Sequence, residues 1–165
     1  MNLLLKANFS RLWKDGAFWA SLAVMAGVGL FEVAVGVSAR RQGISVPLEN
    51  RYFVLALMPG IVLSAFCSLF VGGEYSGGTI RNKMMVGRTR NEIYLANSMV
   101  CVTGTLLWCL AFAVPCTALA ALLLGSAKAP AIAFVSTALL SILVAVAATS
   151  VYVMVSMLCQ NKATT

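Results

Sequence analysis

The chain has 165 residues, of which 61% are hydrophobic and only 10% are charged, and its mean hydropathy is +0.92. Soluble domains carry about 25% charged residues, so this composition excludes an ordinary water-soluble domain. The net charge of +7 comes from twelve Lys and Arg against five Asp and Glu. Because the basic residues lie mainly between apolar blocks, they are typical of segments that flank an anionic membrane and do not indicate nucleic acid as a partner.

The first predicted element is a helix over residues 1–15. At 100° per residue, one face gathers Met1, Leu5, Phe9, Leu12 and Trp13, while the opposite face carries Lys6, Ser10, Arg11 and Lys14. This pattern is typical of a helix that lies in the membrane interface. The alternative is an ordinary cytoplasmic tail.

Four apolar blocks of membrane length follow, since a helix of about 20 residues crosses the hydrocarbon core. They predict spans over residues 18–38, 53–71, 93–124 and 131–158. Pro59 and Pro115 lie inside the second and third spans, where a bundle tolerates kinks. We therefore predict a single domain over residues 1–165, an all-α membrane protein with four transmembrane helices, the interfacial helix and a short cytoplasmic helix.

The distribution of Lys and Arg predicts the orientation. Eight lie in the N-terminal segment, the loop of residues 72–92 and the C-terminal tail: Lys6, Arg11, Lys14, Arg81, Lys83, Arg88, Arg90 and Lys162. Four lie on the other side: Arg40, Arg41, Arg51 and Lys128. Because basic residues favour the cytoplasmic side, both termini and the 72–92 loop are predicted to be cytoplasmic.

Small residues at four-residue spacing are expected to let helices approach closely. They occur as Ala23 and Gly27 in the first span, and as Ser141, Ala145 and Thr149 in the fourth. We expect them to serve packing within the bundle. Mid-span Trp108, in the third block, is likewise expected to be a packing residue.

Glu32 is the acidic residue inside a predicted span, about five residues from the outer end of the first. A charged group within the bilayer costs several kcal/mol at its centre and is a functional candidate. Three roles stay open: lining a substrate path, pairing with Arg40 or Arg51, and reaching the outer headgroups.

The most informative segment is residues 72–92, between the second and third spans. Glycines at 72, 73, 77 and 78 are predicted to break the helix and permit a reversal. Thr79 is then expected to cap a short helix over residues 79–86 that ends at Gly87. The sequence from Thr89 to Glu92 matches a capping box that starts the third span.

The short helix has apolar residues with basic flanks. Ile80 and Met84 share one face with Met85 beside them, and Arg81 and Lys83 flank them. A protruding apolar knob of this kind suits insertion into a groove on a partner. The alternative is a plain cytoplasmic loop that obeys the positive-inside rule.

Several chemistries lack the residues that they need. The chain has no histidine, its five cysteines form no CxxC pair, and paired carboxylates or nucleophile–base sets are not evident. The glycine run does not match a phosphate-binding loop, since Thr79 follows Gly78 where that loop has lysine. The sequence therefore predicts a protein that is not an enzyme and has no cofactor or metal of its own.

Residues 74–83, with the sequence EYSGGTIRNK, and residues 87–94, with the sequence GRTRNEIY, resemble permease subunits of bacterial type-2 ABC exporters. Members of that family have a Glu at the cytoplasmic end of the second span, then Gly-Thr and a basic coupling helix. The helical layout of the whole chain is similar as well.

The resemblance implies a permease subunit of the bacterial plasma membrane that works with an ATP-binding cassette subunit and a second permease subunit. Residues 78–86 would be the coupling helix. The residues at or near the contact with the ATP-binding subunit would be Glu74, Gly78, Thr79, Ile80, Arg81, Lys83, Met84 and Met85. Family members usually have six spans, so the chain is expected to correspond to the first four.

Two other functions stay open from the sequence. One is a stand-alone small transporter or channel without an ATPase. The other is a membrane subunit that transports nothing, such as an immunity or scaffold protein.

Overall fold

In a computed structural model, residues 2–43, 48–124 and 131–158 are described, and they fold entirely as α-helices. The helices are α1 (Asn2–Lys14), α2 (Gly16–Arg41), α3 (Leu48–Ser76), α4 (Thr79–Met85), α5 (Arg90–Leu124) and α6 (Ala131–Leu158). The predicted all-α class is therefore confirmed for this part of the chain.

Three segments are long and apolar enough to cross a membrane: Gly16–Arg41, Arg90–Ala120 and Val135–Leu158. A fourth candidate is the pair Ile61–Tyr75 and Thr79–Met85, which bends by 53° at the break between them. The described helices thus make the chain a multi-pass membrane protein.

The α1 and α2 helices meet at Asp15. Its carboxylate accepts a hydrogen bond from the backbone N–H of Ala17 at 3.0 Å, as an N-cap does. The two helices are therefore separate elements. The face of α1 that carries Leu4 and Leu12 is buried against the bundle, mainly on α5.

The bundle core lies where α2, α3 and α5 meet. Helix α2 packs mainly on α5, and α3 packs mainly on α6. Trp108 is fully buried and stacks on Phe18 with 6.1 Å between ring centroids, while Phe66 meets it edge-on at 4.9 Å. Such aromatic pairs stabilise a core beyond the area they bury. The predicted packing role of Trp108 is confirmed.

In the first span, the close helix contact is made by a different small residue from the two that were predicted. Ala23 and Gly27 are exposed, so the prediction that they pack within the chain is wrong. The close approach is at Gly29, where a Cβ would lie 2.8 Å from the carbonyl oxygen of Phe112. Helix rotation decides this, because residues two positions apart lie about 200° apart around the axis.

In α6 the predicted small-residue stripe is confirmed as packing, since Ser141, Ala145 and Thr149 are all buried. The Thr149 hydroxyl lies 2.8 Å from the hydroxyl of Thr105 on α5 and also donates to the carbonyl of Ala145. One polar contact thus joins α5 and α6 inside an apolar core.

Thr105→Val is expected to lower the free energy of unfolding by only about 0.6 kcal/mol. The loss is small because Thr149 keeps its bond to Ala145. Thr103→Val is the matched control, since the Thr103 hydroxyl bonds the carbonyl of Met99 in its own helix. Denaturation in mixed micelles measures both, and equal costs for the two variants would contradict a contribution from the α5–α6 contact.

The reversal after α3 comes later than predicted. Gly72 and Gly73 lie within α3, which continues to Ser76, so the prediction that they break the helix is wrong. The Tyr75 hydroxyl donates to the carbonyl of Met157 at 2.7 Å. This contact fixes the last turn of α3 on α6 and outweighs the weak helix propensity of glycine.

The turn itself is formed by Gly77 and Gly78. Gly78 has a φ of +67° and is the N-cap residue of α4, and no side chain forms a capping hydrogen bond there. The prediction that Thr79 caps this helix is therefore also wrong. Thr79 is instead the first helical residue. A left-handed φ at this position favours glycine.

The end of α4 and the start of α5 follow the sequence signals. Gly87 has a φ of +84°, its N–H donates to the carbonyl of Met84, and the N–H of Arg88 donates to the carbonyl of Lys83. These two bonds form a Schellman motif. Thr89 and Glu92 exchange side-chain-to-backbone bonds of 3.3 Å each, so the predicted capping box is confirmed.

Candidate functional site

A buried carboxylate lies at the end of α3 where four helices meet. Glu74 is only 1% exposed, although it follows directly on the apolar part of α3. Its neighbours come from α1, α4 and α5. Because an unpaired buried charge costs several kcal/mol, its partners determine whether this arrangement is stable.

Two cations contact the same carboxylate oxygen. Arg11 Nη1 lies 2.8 Å and Lys83 Nζ 2.6 Å from Glu74 Oε1. The Arg11 guanidinium also donates to the carbonyl of Phe70 at 2.7 Å and lies over the Phe70 ring, 4.6 Å from its centroid. The arginine of α1 is therefore fixed on α3 by three kinds of contact.

Two asparagines complete the arrangement. Asn97 Nδ2 donates to Glu74 Oε2 at 2.9 Å, and Asn8 Nδ2 donates to Asn97 Oδ1 at 2.5 Å. Lys83 Nζ donates to Asn8 Oδ1 at 3.1 Å. The hydrogen bonds thus close a ring through Glu74, Asn97, Asn8 and Lys83. We call these four residues and Arg11 the Glu74 network.

The Glu74 network satisfies each of its buried members. Both carboxylate oxygens accept hydrogen bonds, and each amide oxygen accepts one. Two cations against one carboxylate leave a net charge of +1, and the half-exposed Arg11 brings part of that charge to the surface. Fully satisfied polar networks hold their elements in one arrangement, so α1, α3, α4 and α5 are linked as a unit at this end of the bundle.

Helix α4 has an inner and an outer face. Ile80 is 6% exposed and packs with Leu4, Ile93 and Ala96, and Met84 lies partly buried on the same cluster. The prediction that Ile80 and Met84 form a protruding knob is therefore wrong. This face turns inward because Leu4, Ile93 and Ala96 offer it apolar area to bury.

The outer face of α4 carries a different set of residues. Arg81 is exposed, Met85 is 69% exposed and Val86, directly after the helix, is 81% exposed. The exposed apolar tip therefore lies one to two positions beyond Met84. Only Met85 of the predicted apolar knob is part of it.

Beyond the two faces of α4, the predicted site residues lie in three places. Glu74 and Lys83 join in the buried network, whereas Gly78 lies in the turn before α4 and Thr79 is the first residue of that helix. Glu32 lies half-buried on α2. It is sixteen residues beyond the start of that helix, or about 24 Å along its axis, and is separate from the network. Arg51, one of its predicted partners, has a side chain outside the described residues.

Sequence reasoning missed Asn8 and Asn97 and counted Arg11 only as a basic flank. A signal was present in each case. Asn8 lies on the apolar face of α1, between Leu4 and Leu12, and Asn97 lies four residues after Ile93 on the buried face of α5. A polar residue in an apolar stripe predicts a buried partner, but the sequence does not say which one.

Residues of the types that could bind a metal do not form a cluster in the described part of the chain. No three His, Cys, Asp or Glu residues among the described ones come close enough together to hold an ion. Four cysteines outside any disulfide are buried and contribute to the apolar core: Cys67, Cys101, Cys109 and Cys116.

The described helices define a multi-pass membrane protein with the buried Glu74 network at one end of its bundle. Comparisons with protein-family models, with curated proteins and with solved structures find no match to this chain.

Proposed function

We propose that this chain is a membrane-spanning permease subunit of an ATP-driven bacterial exporter. In this proposal α2, α3, α5 and α6 are its four spans in the plasma membrane, and the N-terminus and α4 are cytoplasmic. A separate ATP-binding subunit contacts α4, and a second permease subunit completes the pathway. The resemblance of residues 74–94 to type-2 ABC permeases and the basic bias of this side support the proposal.

The observation that carries it is the attachment of α4 to the bundle through the Glu74 network. Lys83 of α4 bonds both Glu74 of α3 and Asn8 of α1, and Ile80 packs on α5. A partner that displaces α4 therefore also displaces the ends of three other helices, because packed elements move as units rather than deform. A cytoplasmic loop that only obeyed the positive-inside rule would not need to be attached to the bundle in this way.

In this proposal the exposed and the buried residues around α4 have different roles. Arg81, Met85 and Val86 are exposed and provide a basic and apolar contact for the ATP-binding subunit. Ile80, Met84, Lys83 and Glu74 lie behind them and transmit the displacement. Gly78 lies in the turn about which α4 is set against α3, and Thr79 is the first helical residue after it.

A role for Glu32 in the substrate path belongs to the same proposal. It is half-buried on α2, nine residues before the end of that helix opposite to the Glu74 network. Acidic residues within a membrane commonly mark substrate or ion pathways.

Charge introduced at the tip of α4 is expected to abolish association with the ATP-binding subunit. The double variant Met85→Asp and Val86→Asp places two carboxylates on the exposed contact without touching the buried face. Buried charges without partners weaken an interface by 2–5 kcal/mol or more, which is a loss of at least about 30-fold in affinity. The measurement is co-purification from native membranes with a subunit identified by its Walker A sequence, together with its ATPase activity.

Asn91→Asp is the matched control, since Asn91 is exposed on the first turn of α5 and an acidic residue there is compatible with the helix dipole. An ATP-binding subunit that stays bound to the Met85 and Val86 variant would contradict the assignment of the contact. Transport by the purified chain without such a subunit would indicate a stand-alone transporter or channel. Partnership with a protein that binds no ATP would indicate an immunity or scaffold subunit.

A further inference from the structure

One face of α1 points away from the rest of the described chain. Leu4, Asn8 and Leu12 lie on the opposite, buried face. The exposed residues recur at helical spacing, and we call them the outward stripe: Lys6, Ala7, Ser10, Trp13 and Lys14. The stripe therefore carries two positive charges and one large aromatic ring.

The aromatic ring of the stripe belongs to a pair at the junction of α1 and α2. Trp13 is 51% and Trp19 49% exposed, with 5.8 Å between their ring centroids. Trp19 Nε1–H donates to the carbonyl of Trp13 at 3.0 Å. Half-exposed tryptophans are enriched where the headgroups of a bilayer meet its hydrocarbon. Since α2 is a candidate span that begins at Gly16, this pair locates the junction at headgroup level.

The two charges of the stripe lie on the same helix as Trp13, before the start of the candidate span α2. Lys6 and Lys14 are eight residues apart, about 12 Å along the helix axis, on either side of Ser10. The nearest acidic side chain in sequence, Asp15, is engaged as the N-cap of α2. The stripe thus presents two ammonium groups toward a region where the phosphates of lipid headgroups are the available anions.

We propose that the outward stripe binds anionic phospholipids of the leaflet that meets α1. The Lys6 and Lys14 ammonium groups bind the headgroup phosphates, and Trp13 and Trp19 lie at the boundary with the acyl chains. The apolar face of α1, which the sequence suggested for the interface, is largely packed on the protein, so the lipid contact is basic and aromatic instead. This inference does not rest on the proposed function.

The test uses the full chain in nanodiscs that contain brominated phosphatidylglycerol or brominated phosphatidylcholine. Bromine quenches tryptophan at short range, so Trp13 and Trp19 report lipid contact, whereas the fully buried Trp108 provides an unquenched internal reference. The wild-type chain is expected to prefer phosphatidylglycerol. Lys6→Gln with Lys14→Gln is expected to lower that preference by up to about fivefold for each lysine at low salt, and by less at high salt.

Arg41→Gln, which removes an exposed charge at the far end of α2, is expected to leave the preference unchanged. Reversal of both charges, Lys6→Glu with Lys14→Glu, is expected to favour phosphatidylcholine. Equal quenching of the wild type by the two lipids would overturn the proposal, as would an unchanged preference in the Gln variant. It would also be overturned if inorganic phosphate removed the preference more than sodium chloride does at equal ionic strength, because the site would then bind a free anion.

Discussion

Glu74→Gln is expected to lower the free energy of unfolding by about 3 kcal/mol, at the lower end of the range for breaking a buried ion pair. The variant keeps the size of the side chain but leaves Arg11 and Lys83 adjacent without a counter-ion. The lower end applies because Arg11 is 36% exposed and water screens part of its charge. Denaturation in mixed micelles, followed by circular dichroism, measures the loss.

Glu92→Gln is the matched control for charge. Glu92 lies 3.9 Å from Arg88, and both side chains are about one-third exposed. A Gln at this position can still complete the capping box with Thr89, so this variant is expected to cost less than about 1 kcal/mol. If the two Glu→Gln variants cost the same, the Glu74 network does not hold the helix ends together.

A double-mutant cycle separates the network from the burial of one side chain. Lys83→Met removes the ammonium group but keeps most of the apolar stem. Within one hydrogen-bonded network, the two substitutions together are expected to cost about 1–3 kcal/mol less than the sum of their separate effects. Strict additivity would show that Lys83 and Glu74 act independently and would remove the link between α3 and α4.

Gly29→Ala is expected to cost about 1–3 kcal/mol, the usual range for overpacking. The added Cβ would lie 2.8 Å from the carbonyl oxygen and 3.4 Å from the Cα of Phe112. Because these are backbone atoms of α5, the clash is relieved only if one helix moves. Since α2 packs mainly on α5, the same substitution would loosen the whole attachment of α2.

Gly27→Ala provides a matched control on the same helix. A Cβ at this position meets nothing within 4 Å in the described part of the chain. The substitution is expected to be neutral or to stabilise by up to about 1 kcal/mol, through helix propensity alone. The same micellar denaturation compares the two variants. A cost at Gly27 as large as that at Gly29 would mean that Gly27 lies in a contact with another molecule.

The features predicted from the sequence are those that depend on nearest neighbours along the chain. The Thr89 capping box and the Gly87 helix end formed as predicted, because each requires residues within five positions of one another. The helical class follows from block length, because an apolar block in a bilayer must satisfy its backbone hydrogen bonds internally.

The predictions were wrong where a contact between residues far apart in the chain outweighs a local preference. Gly72 and Gly73 remain helical because Tyr75 and Glu74, which follow them, are fixed to α6 and to the network. Ile80 turned inward because α1 and α5 offer it an apolar surface, which the sequence of α4 alone does not reveal.

The sequence alone was therefore sufficient for the helical membrane class and for the places where α4 ends and α5 begins, whereas Glu74 was singled out only through the family resemblance. The role of Glu74 in a buried network became evident only from the way the helices pack together. The other members of the Glu74 network, Asn8, Arg11, Lys83 and Asn97, lie between 9 and 66 residues away from Glu74 in the chain. They meet because α1 and α4 pack on the ends of α3 and α5. Local patterns specify helices and their ends, whereas a buried charge is stabilised by contacts that exist only after the helices have assembled.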